Sequence, residues 1–228
     1  RMREDIDVSV CIEETLAAEG VRLKTGHRVV SAASGEDVIL RLVDEQNGDE
    51  VSVPCNGVLF ALGRKPRTTG FGLEDLGVAL TASGHIEVND YLQTNYPSLY
   101  AVGDVAGPYQ FTHTASHMAW YAAVNALFGT FKRFKVDYRV VPWCTFSSPE
   151  VARVGLNETE ANAAGVAFET TRFDVAELDR AKADDARQGF VKVLTAPGSD
   201  KILGVTIVSE HAGETISEFV LAMKYNLG

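Results

Sequence analysis

The 228 residues weigh 24.7 kDa and carry a formal net charge of −10, with a sequence pI near 5.0. With 46% hydrophobic and 23% charged residues the chain is globular in composition, and its acidity argues against a nucleic-acid backbone or an anionic membrane as main partner. No apolar run approaches the ~20 residues of a membrane helix. The three cysteines, Cys11, Cys55 and Cys144, show neither CxxC nor zinc spacing, so a reducing cytoplasm is the expected setting and no metal site is expected.

A helix is predicted over Arg1–Ala18, with Ile6, Val10, Ile12, Leu16 and Ala17 near helical spacing and Gly20 as C-cap. From 21 to 63 the pattern is strand-like. Val38, Leu40 and Leu42 alternate with Ile39, Arg41 and Val43, Asn47-Gly48 predicts a type I′ turn, and Val51 and Val53 alternate back. The wholly apolar Val58-Leu59-Phe60-Ala61-Leu62 reads as a strand buried on both faces. Residues 64–93 read as a glycine-punctuated loop with a short acidic turn at Leu73–Leu76. A second buried strand, Leu99–Val102, runs into Gly103-Asp104 and then a helix from Thr112 to Leu127.

Beyond Val140, strands are predicted near 141–147, 151–155, 166–173, 189–195 and 202–208. A helix at 158–164, capped by Asn157 and Glu160, interrupts them. A last helix, Gly213–Leu227, places Ile216, Phe219, Val220 and Met223 on one face that needs covering, with Gly228 as its cap. Runs of strands bracketed by helices predict an α+β fold.

The segment Thr94-Asn95-Tyr96-Pro97-Ser98-Leu99-Tyr100-Ala101-Val102-Gly103-Asp104 carries the chemistry. A glycine and a carboxylate at the carboxyl end of a strand occupy the place where α/β sheets bind ligands. Gly103 permits close backbone approach, and Asp104 accepts hydrogen bonds from a sugar-like hydroxyl. The helix that follows aims its amino-terminal N–H groups at the same crevice. On the Gly-Asp pair alone, a turn that simply caps the next helix explains the pattern equally well.

The eleven-residue segment as a whole resembles the second FAD-binding signature of the pyridine nucleotide–disulfide oxidoreductases. Leu62-Gly63-Arg64-Lys65-Pro66, Leu73-Glu74-Asp75-Leu76-Gly77-Val78, Val141-Pro142 with Pro149-Glu150-Val151-Ala152, and Gly189-Phe190-Val191-Lys192 are similar to further stretches of that family, in the same order. Pro149-Glu150-Val151-Ala152 is closer to dihydrolipoamide dehydrogenases and mercuric-reductase-like members than to glutathione reductases. The resemblance implies the carboxyl-terminal parts of Rossmann-like α/β domains followed by an α+β interface domain. Residues 1–68 would belong to the NAD(P) domain, 69–138 to the FAD domain and 139–228 to the interface domain.

It implies that Asp104, after Gly103, binds a ribityl hydroxyl of FAD, and that Gln110, Phe111, Thr112 and His113 lie beside the flavin pyrimidine edge. Gly63 and Val29 would contact the nicotinamide nucleotide, NAD or NADP. It further implies a homodimer through residues 140–228 and a small dithiol or disulfide substrate. The family's first FAD glycine motif, its Cys-x4-Cys pair, its GxGxxG and its His–Glu pair are absent from these residues. No catalytic residue is therefore expected within the chain; the resemblance implies part of an FAD-dependent oxidoreductase passing electrons between NAD(P)H and a disulfide or dithiol, with a mercuric-reductase-like or other disulfide reductase, or for this chain alone a non-catalytic dimerisation module, as the alternative. Ser116, His117 and Met118 replace acidic residues common in dihydrolipoamide dehydrogenases. His113 and His117 have the i, i+4 spacing of a zinc pair, yet no third ligand accompanies them. Cys144 reads as a small buried hydrophobe. Trp120 and Tyr121 read as packing residues, and Glu74-Asp75 and Asp184-Asp185 as solvated charge.

Overall fold

The structure, a computed structural model, describes residues 4–34 and 38–228. The chain forms two compact units, Ile12–Arg64 and Lys65–Gly228 joined by the segment ending at Cys11. Helix α1 runs Ile6–Ala18, and its end is closed by bonds from Gly20 N–H to Ala17 O and Val21 N–H to Leu16 O. The predicted residues Arg1, Met2 and Arg3 lie outside the described residues. The apolar face also differs from expectation: Ile6 is 78% exposed, whereas Val8, at 1%, is buried together with Ser9 and Thr15.

In the unit Ile12–Arg64, strands β1 (His27–Ser34), β2 (Val38–Asp44) and β3 (Glu50–Cys55) form an antiparallel sheet in that order. The alternation read over Val38–Val43 places Leu42 in the interior. The connection of β2 to β3 is not the two-residue turn predicted at Asn47-Gly48. Asp44 carboxylate accepts from Gln46 N–H at 2.8 Å and the Asn47 amide oxygen accepts from Asp49 N–H at 2.9 Å, which holds a longer loop.

The predicted buried strand Val58–Leu62 does not form. Leu59, Phe60 and Leu62 are 92%, 68% and 84% exposed, and no described strand pairs with them. An apolar run becomes a buried strand only where neighbours supply both a ladder and cover.

In the other unit, helix α2 (Leu73–Leu76) follows the predicted acidic turn. Leu99–Val102 is likewise not a full strand: Gln93 and Tyr100 make a single bridge, and only Ala101 is buried. A 3₁₀ turn, Gly103–Val105, leads to helix α3 (Thr112–Phe128). Asn125 anchors that helix within the chain: its side chain accepts from Phe134 N–H at 2.8 Å and donates to Phe134 O at 2.9 Å.

Strands β4 (Trp143–Thr145), β5 (Glu150–Gly155), β6 (Glu169–Asp174), β7 (Phe190–Thr195) and β8 (Ile202–Ser209) form one antiparallel sheet, ordered β4-β5-β8-β7-β6. Helix α4 (Glu158–Ala163) starts as predicted at Asn157, whose side chain accepts from Glu160 N–H at 2.8 Å. A short α5 (Asp179–Ala183) and the long α6 (Ala212–Tyr225) complete the unit. Ala152, Val154, Val205, Ile207, Ala212 and Ile216 build the core, with Phe219, Val220 and Met223 packed against it. The predicted face of α6 is thus covered by its own sheet, as the periodicity required. The helix ends at Asn226, in the left-handed region, rather than at Gly228.

Charge also builds this unit. The Lys192 ammonium, 2% exposed, lies 2.9 Å from Asp5, 2.9 Å from Asp7 and 3.1 Å from Glu158. Asp5 accepts in addition from the N–H groups of Glu158 and Thr159 at 3.1 and 3.0 Å, so a carboxylate distant in sequence caps α4.

Candidate functional site

Gly103 sits buried with φ 72, a conformation that favours glycine. A Cβ at this position would meet the Ala115 Cβ at 3.0 Å, so the turn lies directly on the first turns of α3. Asp104 is exposed at that turn. Helix α3 begins after Phe111 without a side-chain cap, leaving the first N–H groups of a 17-residue helix without intrahelical acceptors. Thr112 and His113 are exposed at this end, whereas Gln110 and Phe111 are half-buried. A carboxylate and a helix amino terminus thus share one edge of the unit, where the carboxylate can accept hydrogen bonds and the helix end favours negative charge.

His113 does more than line this edge. Its Nε2 meets Pro142 O at 2.7 Å, and its ring stacks on Phe111 with centroids 5.4 Å apart. Phe111 in turn faces Trp143 at 6.4 Å, and Tyr109 lies 5.9 Å from Trp143. One turn further on, His117 Nε2 meets Asp137 O at 3.0 Å. Both Nε2 atoms of the zinc-spaced pair are therefore engaged by backbone carbonyls. No group of three potential metal ligands occurs among the described residues.

Asp137 itself is held well below the usual carboxylate range, chiefly by the Arg139 guanidinium at 2.9 Å; burial opposes this, and Lys224 at 3.1 Å adds to it. The Lys224 contact ties α6 to the segment that receives His117. Trp120, expected to pack, meets Phe134 and Tyr121 at 6.0 and 5.0 Å but stays largely exposed.

The two residues assigned to the nicotinamide nucleotide lie in the unit Ile12–Arg64. Val29 faces Leu42 across the β1–β2 ladder and is partly exposed. Gly63 does not end a buried strand, because that strand does not form; it is exposed with φ 113.

Cys144 is half-buried, and its thiol is pushed up to about 11, first by burial and then by the Glu150 carboxylate. The same carboxylate accepts from Gly213 N–H at 2.9 Å and so caps α6. With Cys11 and Cys55 replaced by serine, Cys144 is expected to react slowly with a disulfide reagent at about pH 8, where thiolate is scarce. Glu150→Gln is expected to speed the reaction. Fast labelling that ignores Glu150 would show that the carboxylate does not control the thiol.

The sequence missed Arg153, Asp5 and Lys192, whose partners, apart from Glu160 beside Arg153, lie far along the chain. Only the charged residues at alternate strand positions, Arg153 within Val151–Val154 and Lys192 within Phe190–Leu194, signalled them.

The family model for the pyridine nucleotide-disulphide oxidoreductases matches residues 2–119, and that for their dimerisation domain matches residues 141–228. The chain is 38% identical over 204 residues to dihydrolipoyl dehydrogenase of Trypanosoma brucei brucei, with 88% of the chain and 42% of the relative covered. It is 35% identical over 226 residues to mercuric reductase of Staphylococcus aureus, with 98% and 40% covered. Among solved structures, LpdA of Mycobacterium tuberculosis aligns with a TM-score of 0.86 at 28% identity, over 99% of this chain and 48% of that one. The flavoprotein disulfide reductase RclA of Escherichia coli aligns with a TM-score of 0.84 at 26% identity, over 99% and 50%. The chain therefore spans half or less of the length of these relatives. With family models matched across both its amino-terminal and carboxyl-terminal parts, it belongs to the pyridine nucleotide-disulphide oxidoreductase family.

Proposed function

We propose that this chain is the carboxyl-terminal share of an FAD-dependent oxidoreductase that passes electrons between NAD(P)H and a disulfide or dithiol, with dihydrolipoamide-type dithiols as the first substrate class. The observation that carries the reading is the Gly103 turn seated on α3, which puts Asp104 and the amino terminus of α3 at one edge. FAD, when bound, supplies the two-electron relay between nicotinamide and disulfide. Asp104 accepts a hydrogen bond from the ribityl chain. Backbone groups of Gln110, Phe111, Thr112 and His113 line the pyrimidine edge, where the α3 dipole favours negative charge. Gly63 and Val29 contact the nicotinamide nucleotide. Residues 1–68, 69–138 and 139–228 are assigned to the nucleotide, flavin and interface domains. The three free thiols suit a reducing, cytoplasmic setting, and no helix among the described residues is long and apolar enough to cross a membrane.

The test uses the full-length protein. Asp104→Ala removes a charge-assisted hydrogen bond of roughly 1.5–3 kcal/mol and is expected to weaken FAD retention by about tenfold to a hundredfold. Dialysis followed by absorbance near the flavin band reads the loss. Unchanged affinity in the variant would refute the role of Asp104.

Residues 140–228 are the proposed homodimer surface, since Leu221 and Tyr225 of α6 remain largely exposed after its inner face is covered. Sedimentation of the full-length protein is expected to give a dimer at micromolar concentration, and Leu221→Glu with Tyr225→Glu a monomer. A concentration-independent monomer before any substitution would remove the assignment.

A further inference from the structure

A cavity of 660 Å³ opens beside the five-stranded sheet, and Tyr109, Tyr138, Arg139, Trp143, Arg153 and Lys201 line it. That is the size of a small-molecule site. Gly103, Asp104, Gln110, Phe111, Thr112 and His113 do not line it, although Tyr109 and Trp143 in its wall stack on Phe111, so it adjoins the proposed flavin edge without sharing its residues.

The decisive residue is Arg153. It is fully buried at 0% exposure, and its guanidinium lies 4.3 Å over the Trp143 ring. Nη2 donates to Glu160 at 2.9 Å, and Nε lies 3.3 Å from Glu4. Nη1 is buried as well and has no hydrogen-bond partner. An ionised donor kept from water without an acceptor is costly, so the position is built for an incoming oxygen.

Of the other lining groups, the Glu160 carboxylate is spent on Arg153 and opposes an anion, whereas Tyr138, Lys201 and Arg139 favour one. Burial, and then the neighbouring Tyr109, push the Tyr138 phenol up, which keeps it a donor. Lys201 makes no ion pair among the described residues, and the Arg139 guanidinium, bonded to Asp137, adds positive charge at the rim. Glu4 and Glu160 already balance Arg153, so a further anion is favoured only because Lys201 and Arg139 stand beside it.

We propose that this cavity is a receptor for a small organic oxyanion, a carboxylate carried on a flat apolar body. The carboxylate takes the free edge of Arg153 with Lys201 nearby, and the body lies against Tyr109, Tyr138 and Trp143.

Titration calorimetry of the full chain with benzoate, benzyl alcohol and inorganic phosphate tests it. Benzoate is expected to bind one saturable site with Kd on the order of 1 mM, as its few heavy atoms allow. Phosphate is expected to bind more weakly and benzyl alcohol not at all. Arg153→Lys is expected to weaken benzoate by about tenfold and Lys201→Gln by about threefold. No saturable benzoate heat overturns the proposal. Equal binding of benzyl alcohol would reduce the cavity to an apolar hole, and tighter phosphate binding would remove the flat body; either result overturns it. Should circular dichroism show Arg153→Lys unfolded, Lys201→Gln and Tyr138→Phe decide, and undiminished benzoate binding in both overturns it equally.

Discussion

Replacing Lys192 by methionine is expected to cost the chain about 3–5 kcal/mol of folding free energy, because it breaks a buried ion cluster by removing one sign of charge. The ammonium serves Asp5, Asp7 and Glu158 at once, and Asp5 is itself only 4% exposed. Without it Asp5 and Glu158 lose their cation, Asp7 keeps only Arg172 at 3.2 Å, and Asp5 keeps only its bonds to the start of α4. Equilibrium denaturation reads the loss, and Asp5→Asn added to Lys192→Met is expected to recover part of it. A loss below about 1 kcal/mol would place the cluster among ordinary surface pairs.

The pH dependence follows from the same contacts. Burial alone would raise the Asp5 carboxyl, but its bonds to Lys192, Thr159 and Glu158 outweigh burial and lower it. A group lowered on folding stabilises above its unfolded value, and that contribution is lost as pH falls through the folded value. For Lys192, burial works downward and the three carboxylates prevail upward. Its contribution is present below the ordinary lysine range and is lost as pH rises through the folded value. The gap between wild type and Lys192→Met is therefore expected to be widest near neutrality and to narrow at both extremes.

What the sequence made legible is local. The helix face of Ile216, Phe219, Val220 and Met223, the Asn157 cap and the five strands after Val140 depend on residues a few positions apart, and all appear close to their expected places. Val58–Leu62 shows the opposite case, since its apolar character specifies burial without specifying the strands that would bury it. At the proposed flavin edge, the pairing of Gly103 with the helix after Phe111 could be read from the motif, but the stack from His113 through Phe111 to Trp143 could not. Nor could Arg153 be read as the floor of a cavity: a lone arginine in an apolar strand pattern gives no hint that Glu4 and Glu160 will meet it.

Gly189→Ala is expected to be a severely damaging single methyl within residues 141–228. The residue precedes β7 with φ 107, and an added Cβ would stand 1.9 Å from Val208 O and 2.6 Å from Val208 C. Neither atom is the end of a flexible side chain, so β7 and β8 would have to part where Phe190 pairs with Val208. The Gly189 carbonyl also accepts from Val175 N–H at 3.1 Å, and a shift would strain that bond too. Gly165→Ala is the matched control: its φ is 66, but nothing lies within 4 Å of the new methyl. The control pays only for the left-handed backbone, about 1–2 kcal/mol. Gly189→Ala adds a backbone collision and is expected to exceed about 4 kcal/mol, the range reserved for gross packing faults. Thermal and denaturant unfolding of the two variants side by side measure the difference. Equal losses would mean that β7 and β8 separate at this end without cost, and that Phe190, at 1% exposure, is not held by the ladder beside it.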